Sequence, residues 1–300
     1  MEDNKRLIII DSSSLIYRAF HALPPLTNKK GQLTNAVYGF LLTLFKAIKD
    51  LEANYIVACF DTPKPTFRHE KYIEYKAHRA KTPDGIVSQM PIIKEVLKAF
   101  NIPIFEKEGF EADDLIATIA IKNQDNAKVY IVSGDLDNLQ LVNEKIKLYT
   151  LGRGIKDTII YDSKKVFERF GVTPEQMNDF KALTGDNSDN IPGVKGIGKT
   201  TAADIIQRFG SIKNLYEELL TDTAILKPKV KEALRANKEK ALLSLELVKT
   251  IKDIEIDFNL ESCKFGNFDL QKVKNIFSEL GFYSLINRLD PLFKEVDVKS

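Results

Sequence analysis

Three buried-strand runs that each end on an acid restrict the fold more than any other feature. Leu7-Ile8-Ile9-Ile10 runs into Asp11, Tyr55 to Phe60 (YIVACF) into Asp61, and Lys128 to Ser133 (KVYIVS) into Gly134-Asp135-Leu136-Asp137. Uninterrupted apolar runs of this length are strands covered on both faces, as in parallel sheets flanked by helices. Amphipathic stretches separate them. Val37, Phe40, Leu41, Leu44 and Ile48 form one stripe behind a candidate N-cap at Thr34, and Ile92, Ile93, Val96, Leu97 and Phe100 form another. The expected class is therefore α/β, with a mostly parallel central sheet between helices. In such sheets ligands bind beyond the carboxyl ends of the strands, where these acids lie. A lone Asp there reads as a turn or capping residue; three strand ends with the same pattern do not.

More acids join them. Glu111, Asp113 and Asp114 open a helix predicted over Ala112 to Asn123, and Asp186 and Asp189 sit three positions apart in a polar turn. One or two acids suit a helix N-terminus, but three repel one another unless a cation lies between them. The constellation is Asp11, Asp61, Glu111, Asp113, Asp114, Asp135, Asp137, Asp186 and Asp189. His21, His69 and His78 show no ligand or triad spacing. All-oxygen donors select Mg²⁺ or Mn²⁺ over zinc. So many acids imply two ions, which suit in-line phosphoryl displacement.

Leu183 to Thr201 (LTGDNSDNIPGVKGIGKTT) carries a second chemistry. Gly193 to Thr200 matches the nucleotide-binding pattern G-x-x-x-x-G-K-[ST], but that loop must follow a buried strand. The preceding Asp186 to Pro192 is polar and ends in Pro, so it is no central strand. A helix–hairpin–helix fits better, with helices over Pro174 to Leu183 and Lys199 to Phe209, the second stopped by Gly210. Such hairpins hold duplex backbone without reading bases.

Residues 62–90 form a proline-interrupted excursion with basic residues and aromatics interleaved, suited to single-stranded nucleic acid or to a solvated surface. Net charge is only +2, but Lys64 to Lys81 and Lys227 to Lys240 each hold six Lys/Arg against two acids. Basic patches beside an acidic cluster are what a metal-dependent enzyme on a polyanion needs. Cys59 and Cys263 have no ligand spacing, and Cys59 reads as core. Neither a signal peptide nor a membrane span is legible, so a cytoplasmic location is expected. A hairpin is expected around Gly152-Arg153-Gly154 at a sheet edge.

The residues carry a resemblance. Ile10-Asp11, Tyr17 to Leu23, Ala36 to Phe40, Phe60-Asp61, Phe67 to Glu70, Tyr75 to Arg79, Glu111 to Asp114, Gly134 to Asp137 and the hairpin stretch together resemble the 5′-nuclease domain of bacterial DNA polymerase I, within the flap-endonuclease family. Ser12 departs from the Gly of many relatives. The resemblance implies a PIN-like core over residues 1–172 with a helical arch at 62–90. It also implies a helical subdomain over 173–290, with its helix–hairpin–helix at 174–210. Asp11, Asp61, Glu111 and Asp113 then belong to one metal's shell, and Asp135, Asp137 and Asp189 to a second metal, with Asp186 as an outer ligand and Asp114 as a further candidate. Lys76 and Arg79 are implied as catalytic cations. Arg18, Arg68, Tyr72, Val194, Lys195, Gly196, Ile197, Gly198, Lys199 and Thr200 are implied as DNA contacts. K⁺ at the hairpin, a monomeric state, 5′-flap, nicked or RNA–DNA substrates, and a polymerase domain in cis or in trans follow from the same likeness. A non-catalytic DNA-binding protein on this fold and a PIN-like ribonuclease are the alternatives.

Overall fold

Alternate residues of the buried strands serve different layers, as the two-residue period of a strand requires. The computed structural model describes residues 5–152 and 157–289. Its strands are β1 (Arg6–Asp11), β2 (Tyr55–Cys59), β3 (Ile104–Phe105), β4 (Lys128–Ser133), β5 (Ile146–Leu151) and β6 (Thr158–Tyr161). They form one sheet in the order β3-β2-β1-β4-β5-β6. All pairs are parallel except β5 with β6; residues 153–156 between them lie outside the described residues, and with them Arg153 and Gly154 of the expected hairpin. Leu7 and Ile9 pack on one face with Val57, Val129 and Ile131. Ile8 and Ile10 pack on the other with Ile56, Ala58 and Val132. This double coverage is why the strands read as unbroken apolar runs.

Six helices belong to the first part of the chain: α1 (Ser12–Ala22), α2 (Asn35–Leu51), α3 (Phe67–Lys71), α4 (Asp84–Val87), α5 (Met90–Ala99) and α6 (Ala112–Asn123). Helices α1, α2 and α5 cover the Ile8 face, and α6 covers the Leu7 face. The chain steps outward from β1 through β2 to β3, then returns to lay β4 beside β1. Between β1 and β4 the order therefore reverses, and open α/β sheets form their ligand crevice at such a point.

Helix α1 was not evident in the sequence, because Ser12-Ser13-Ser14 looks like a turn. Its start is set by Asp11, whose side chain accepts from Ser14 N, and by the burial of Leu15, Ile16 and Ala19. The third strand pairs over two residues only, Ile104 with Ala58 and Phe105 with Cys59. Segment 62–90 holds two short helices, α3 and α4, with Pro63 and Pro65 ahead of the first and Pro83 capping the second.

Helices α7 (Ser163–Phe170), α8 (Met177–Thr184), α9 (Lys199–Phe209), α10 (Ile212–Leu220), α11 (Pro228–Ala236), α12 (Lys238–Val248) and α13 (Leu270–Leu280) follow in the second part of the chain. Helix α13 returns to the Ile8 face, through Val273 and Phe277. The helix–hairpin–helix is present as α8, a tight approach and α9, with Gly210 closing α9. Only an isolated bridge, Asp186 to Ile191, precedes Gly193, so the strand that a nucleotide-binding loop needs is missing. None of the helices among the described residues is long and apolar enough to cross a membrane.

The approach turn rests on close backbone packing. Gly193 has φ +60°, its N donates to Ser244 Oγ of α12 at 3.0 Å, and a Cβ there would lie 2.3 Å from Gly185 N. Gly196, at φ +90°, faces open space. Gly193→Ala is expected to lose about 3 kcal/mol or more in urea unfolding, because clash adds to strain, and Gly196→Ala about 1 kcal/mol from strain alone. Equal losses would show that the turn yields without cost.

Candidate active site

Strand ends and one helix start deliver the acids to a single edge. Asp11 terminates β1 and is 4 % exposed. Its Oδ2 accepts from Ser133 Oγ at the end of β4, at 2.6 Å. Asp61 follows β2, where its amide donates to Ser13 Oγ and its Oδ1 accepts from Ala112 N at 2.8 Å. That second bond ties the β2 end to the start of α6. Asp113, one residue on, accepts from Asn138 Nδ2 at 2.7 Å. Asp135 accepts from the amide of Asp137 and shapes the turn after β4.

The charges of these groups act on one another. Burial pushes the Asp113 carboxyl well above the usual range, and the charges of Asp11, Asp137, Asp135 and Asp61 push it further. Burial likewise raises Asp11, with Asp61 adding to it against hydrogen bonds from Ser133 and Ser14. Asp137 is pushed up to about 6, by burial first, with Lys181 opposing and Asp135 and Asp186 reinforcing. Lys181 on α8 bonds Asp137 directly and Asp186 Oδ2 at 3.0 Å. Together the two carboxylates hold the lysine proton more tightly than usual, despite its burial.

A second group forms where residues 72–79 fold over the edge. Lys76 Nζ lies 2.8 Å from Glu111 Oε1 and 3.7 Å from Asp189 Oδ2. Arg79 bonds Asp189, and the buried Tyr75 hydroxyl donates to Glu111 Oε2 at 3.1 Å or to Asp189 Oδ2 at 3.2 Å. Lys76 adopts φ +55°, and its amide donates to Asp189 O at 2.9 Å. The geometry thus gathers Asp11, Asp61, Asp113, Asp135, Asp137 and Asp186 into one electrostatic neighbourhood and sets Glu111 and Asp189 beneath Lys76 and Arg79.

Two expectations need correction. Asp114 is fully buried and forms a two-pronged ion pair with Arg68, itself 2 % exposed. Asp114 therefore faces no ligand space, and Arg68 presents no surface to DNA. Val194 and Ile197 are buried core residues, so at those positions only backbone can face a partner. Lys195, Gly196, Gly198, Lys199 and Thr200 are exposed along the hairpin rim. Gly198 caps α9 without a side chain, which leaves the first amides of α9 open to an anion. Arg18 is engaged by the carbonyls of Gly134 and Gly152, and Tyr72 by Glu74. Lys181 was missed. A lysine between the apolar Phe180 and Ala182-Leu183, five residues before an acid of the set, was the available signal.

Among the described residues, no three His, Cys, Asp or Glu side chains stand ready as a ligand group. Lysines bridge the carboxylates instead. The donor chemistry still fits a hard divalent cation: oxygens only, crowded, and raised in proton affinity by mutual repulsion.

Residues 6–171 match the family described as 5′-3′ exonuclease, N-terminal resolvase-like domain, and residues 172–271 match 5′-3′ exonuclease, C-terminal SAM fold. The chain belongs to the 5′-3′ exonuclease family. The chain is 40% identical to the 5′-3′ exonuclease of Aquifex aeolicus, over 99% of each chain. It is 42% identical to the DNA polymerase I of Bacillus caldotenax over 95% of its own length, but spans only 32% of that relative. In fold it resembles the T5 D15 protein co-crystallised with metal ions, with TM-score 0.69, 22% identity and coverage of 98% and 99% of the two chains. It also resembles the catalytic core of Rad2 in complex with DNA substrate, with TM-score 0.64, 19% identity and coverage of 97% and 92%.

Divalent metal is expected to stabilise the exonuclease, because it relieves the repulsion and binds only the folded state. At a hundred times the dissociation constant of Mg²⁺ the gain is about 2.7 kcal/mol, or a Tm rise of roughly 5 °C. Asp113→Asn should melt higher than the parent without metal and lose most of the Mg²⁺ shift. Its sign follows from the raised carboxyl, which costs stability at neutral pH wherever it is ionised in the fold. An undiminished Mg²⁺ shift in scanning calorimetry would remove Asp113 from the site.

Proposed function

We propose that the chain is a structure-specific 5′ nuclease that hydrolyses DNA phosphodiesters at 5′ flaps, single-strand–duplex junctions and 5′ ends with two Mg²⁺ ions, Mn²⁺ substituting. The observation that carries this reading is the convergence of acids from three strand ends, one helix start and the hairpin approach on one sheet edge, under two arch cations. In this reading Asp11, Asp61, Glu111 and Asp113 hold one ion, and Asp135, Asp137, Asp186 and Asp189 hold the other. When bound, the ions supply an activated water and neutralise charge on the attacking and leaving oxygens.

The chain's own groups do the remainder. Ser133 and Ser14 orient the Asp11 carboxylate, and Asn138 orients Asp113. Lys76 and Arg79 stabilise charge developing on the scissile phosphate. The open amides of α9, with Lys195, Lys199 and Thr200, take phosphates of the downstream duplex, with K⁺ as a bridge at the hairpin. Contacts of this kind position the duplex and carry no base preference. RNA–DNA primers are accepted on the same grounds. The protein acts as a monomer, and a polymerase function in cis or in trans supplies the nicked or displaced strand. The domain division at 172/173 leaves most of the metal edge in the core, and Asp186 and Asp189 reach it from the hairpin approach of the helical subdomain.

A 5′-flap oligonucleotide should be cut near its junction with Mg²⁺ and left intact with EDTA, while a matched blunt duplex is cut poorly. Asp113→Asn should bind the flap yet lose about three orders of magnitude in kcat. Lys76→Ala should lose about two to three orders, as for removal of one preorganised donor. A wild-type protein that binds flaps but never cuts them with Mg²⁺ or Mn²⁺ would instead be a DNA-structure-binding protein.

A further inference from the structure

We infer that Arg68 and Asp114 form a positioning pair that sets the placement of Glu111 and the base of the arch, and that neither touches the metal or the DNA. This inference rests on the metal site proposed above.

The bonding around the pair is closed. Asp114 Oδ2 accepts from Arg68 Nη1 at 2.8 Å and from Glu111 N at 3.1 Å. Its Oδ1 accepts from Arg68 Nη2 at 2.7 Å and from Ile251 N at 2.9 Å. Four donors fill the four acceptor sites of a carboxylate, so none is left for a metal. Arg68 is equally committed. Its Nε donates to Leu247 O at 3.0 Å, its Nη2 also donates to Lys249 O at 2.8 Å, and its Nη1 lies 3.4 Å from Glu111 Oε2. A guanidinium has five N–H groups, and these partners use or face all of them.

Three separate parts of the chain meet at this pair. Arg68 lies on α3, at the base of the arch segment, eight residues before Lys76. Asp114 lies in the first turn of α6 and holds the amide of Glu111, the residue that caps that helix. Leu247, Lys249 and Ile251 come from the end of α12 and the strap beyond it. Glu111 is consequently gripped at both ends. Its amide is held by Asp114 and its carboxylate faces Arg68, which leaves Oε1 directed at Lys76. A ligand fixed in this way resembles the outer contacts that orient metal-binding side chains, whose loss typically weakens metal affinity at least tenfold.

Mn²⁺ binding followed by electron paramagnetic resonance, together with the salt dependence of flap-DNA binding in EDTA, tests the inference without cleavage. The variants are Arg68→Lys, Asp114→Asn and the apolar pair Arg68→Met/Asp114→Leu, since well-packed apolar replacements of buried ion pairs often keep a fold intact. Melting curves identify the folded variants. Arg68→Lys keeps the charge and decides the matter if the other two unfold. All folded variants are expected to weaken Mn²⁺ by about tenfold, and the double variant no more than the worse single one. The slope of log affinity against log salt should equal that of the wild type.

A slope shallower by about one in Arg68→Met/Asp114→Leu, which removes the charge, would place Arg68 on a phosphate and overturn the inference. So would unchanged Mn²⁺ affinity in Arg68→Lys. A loss in Asp114→Asn equal to that of Asp113→Asn, with Arg68→Lys unaffected, would make Asp114 a direct ligand. A wild type that binds no Mn²⁺ would refute the proposed metal site itself, a result distinct from all of these.

Discussion

Carboxylates forced together at one sheet edge are the constraint around which this molecule is built. Burial and mutual repulsion both favour protonating Asp11 and Asp113, so the cluster is unfavourable until something positive enters it. A stable chain can carry such a cluster only if the scaffold is strong elsewhere. The six-stranded sheet provides that strength, with unbroken apolar strands buried on both faces. Its parallel order also concentrates the strand ends, because every returning connection brings another carboxyl end to the same rim.

The scaffold was legible because its physics is local and repetitive. Strand runs such as KVYIVS and stripes such as Val37, Phe40, Leu41 and Leu44 declare their period directly. Helix α9 could be bounded at both ends, since Gly198 and Gly210 punctuate it. Helix α1 was not legible. Its three serines have weak helix preference, and the cap that starts it is Asp11, an acid already assigned to chemistry.

The site was legible in its residue types and not in its pairings. A list of acids and bases shows which charges are available, but ion pairs are made by the fold. Arg68 in a basic run looked like a surface contact, yet it is the most completely buried cation of that run. Asp114 beside Asp113 looked like a ligand, yet a helix turns by about 100° per residue and points the two carboxylates in different directions. Lys181 escaped notice for the converse reason. Its meaning depends on Asp137, forty-four positions earlier in the chain.

The cations beside these carboxylates also explain how the acidic cluster persists in the fold. Lys181 neutralises Asp137 and Asp186, and Lys76 with Arg79 neutralises Glu111 and Asp189. A cation cannot serve two partners fully at once. On the proposed assignment, Lys76 must leave Glu111 to reach a scissile phosphate, and a metal ion at Glu111 removes the reason for it to stay. Metal binding and release of the arch cations are therefore linked equilibria, and by reciprocity a phosphate that draws Lys76 away strengthens the metal site by the same factor. On that assignment, the lysine that neutralises the resting cluster would couple the arrival of DNA to the binding of metal.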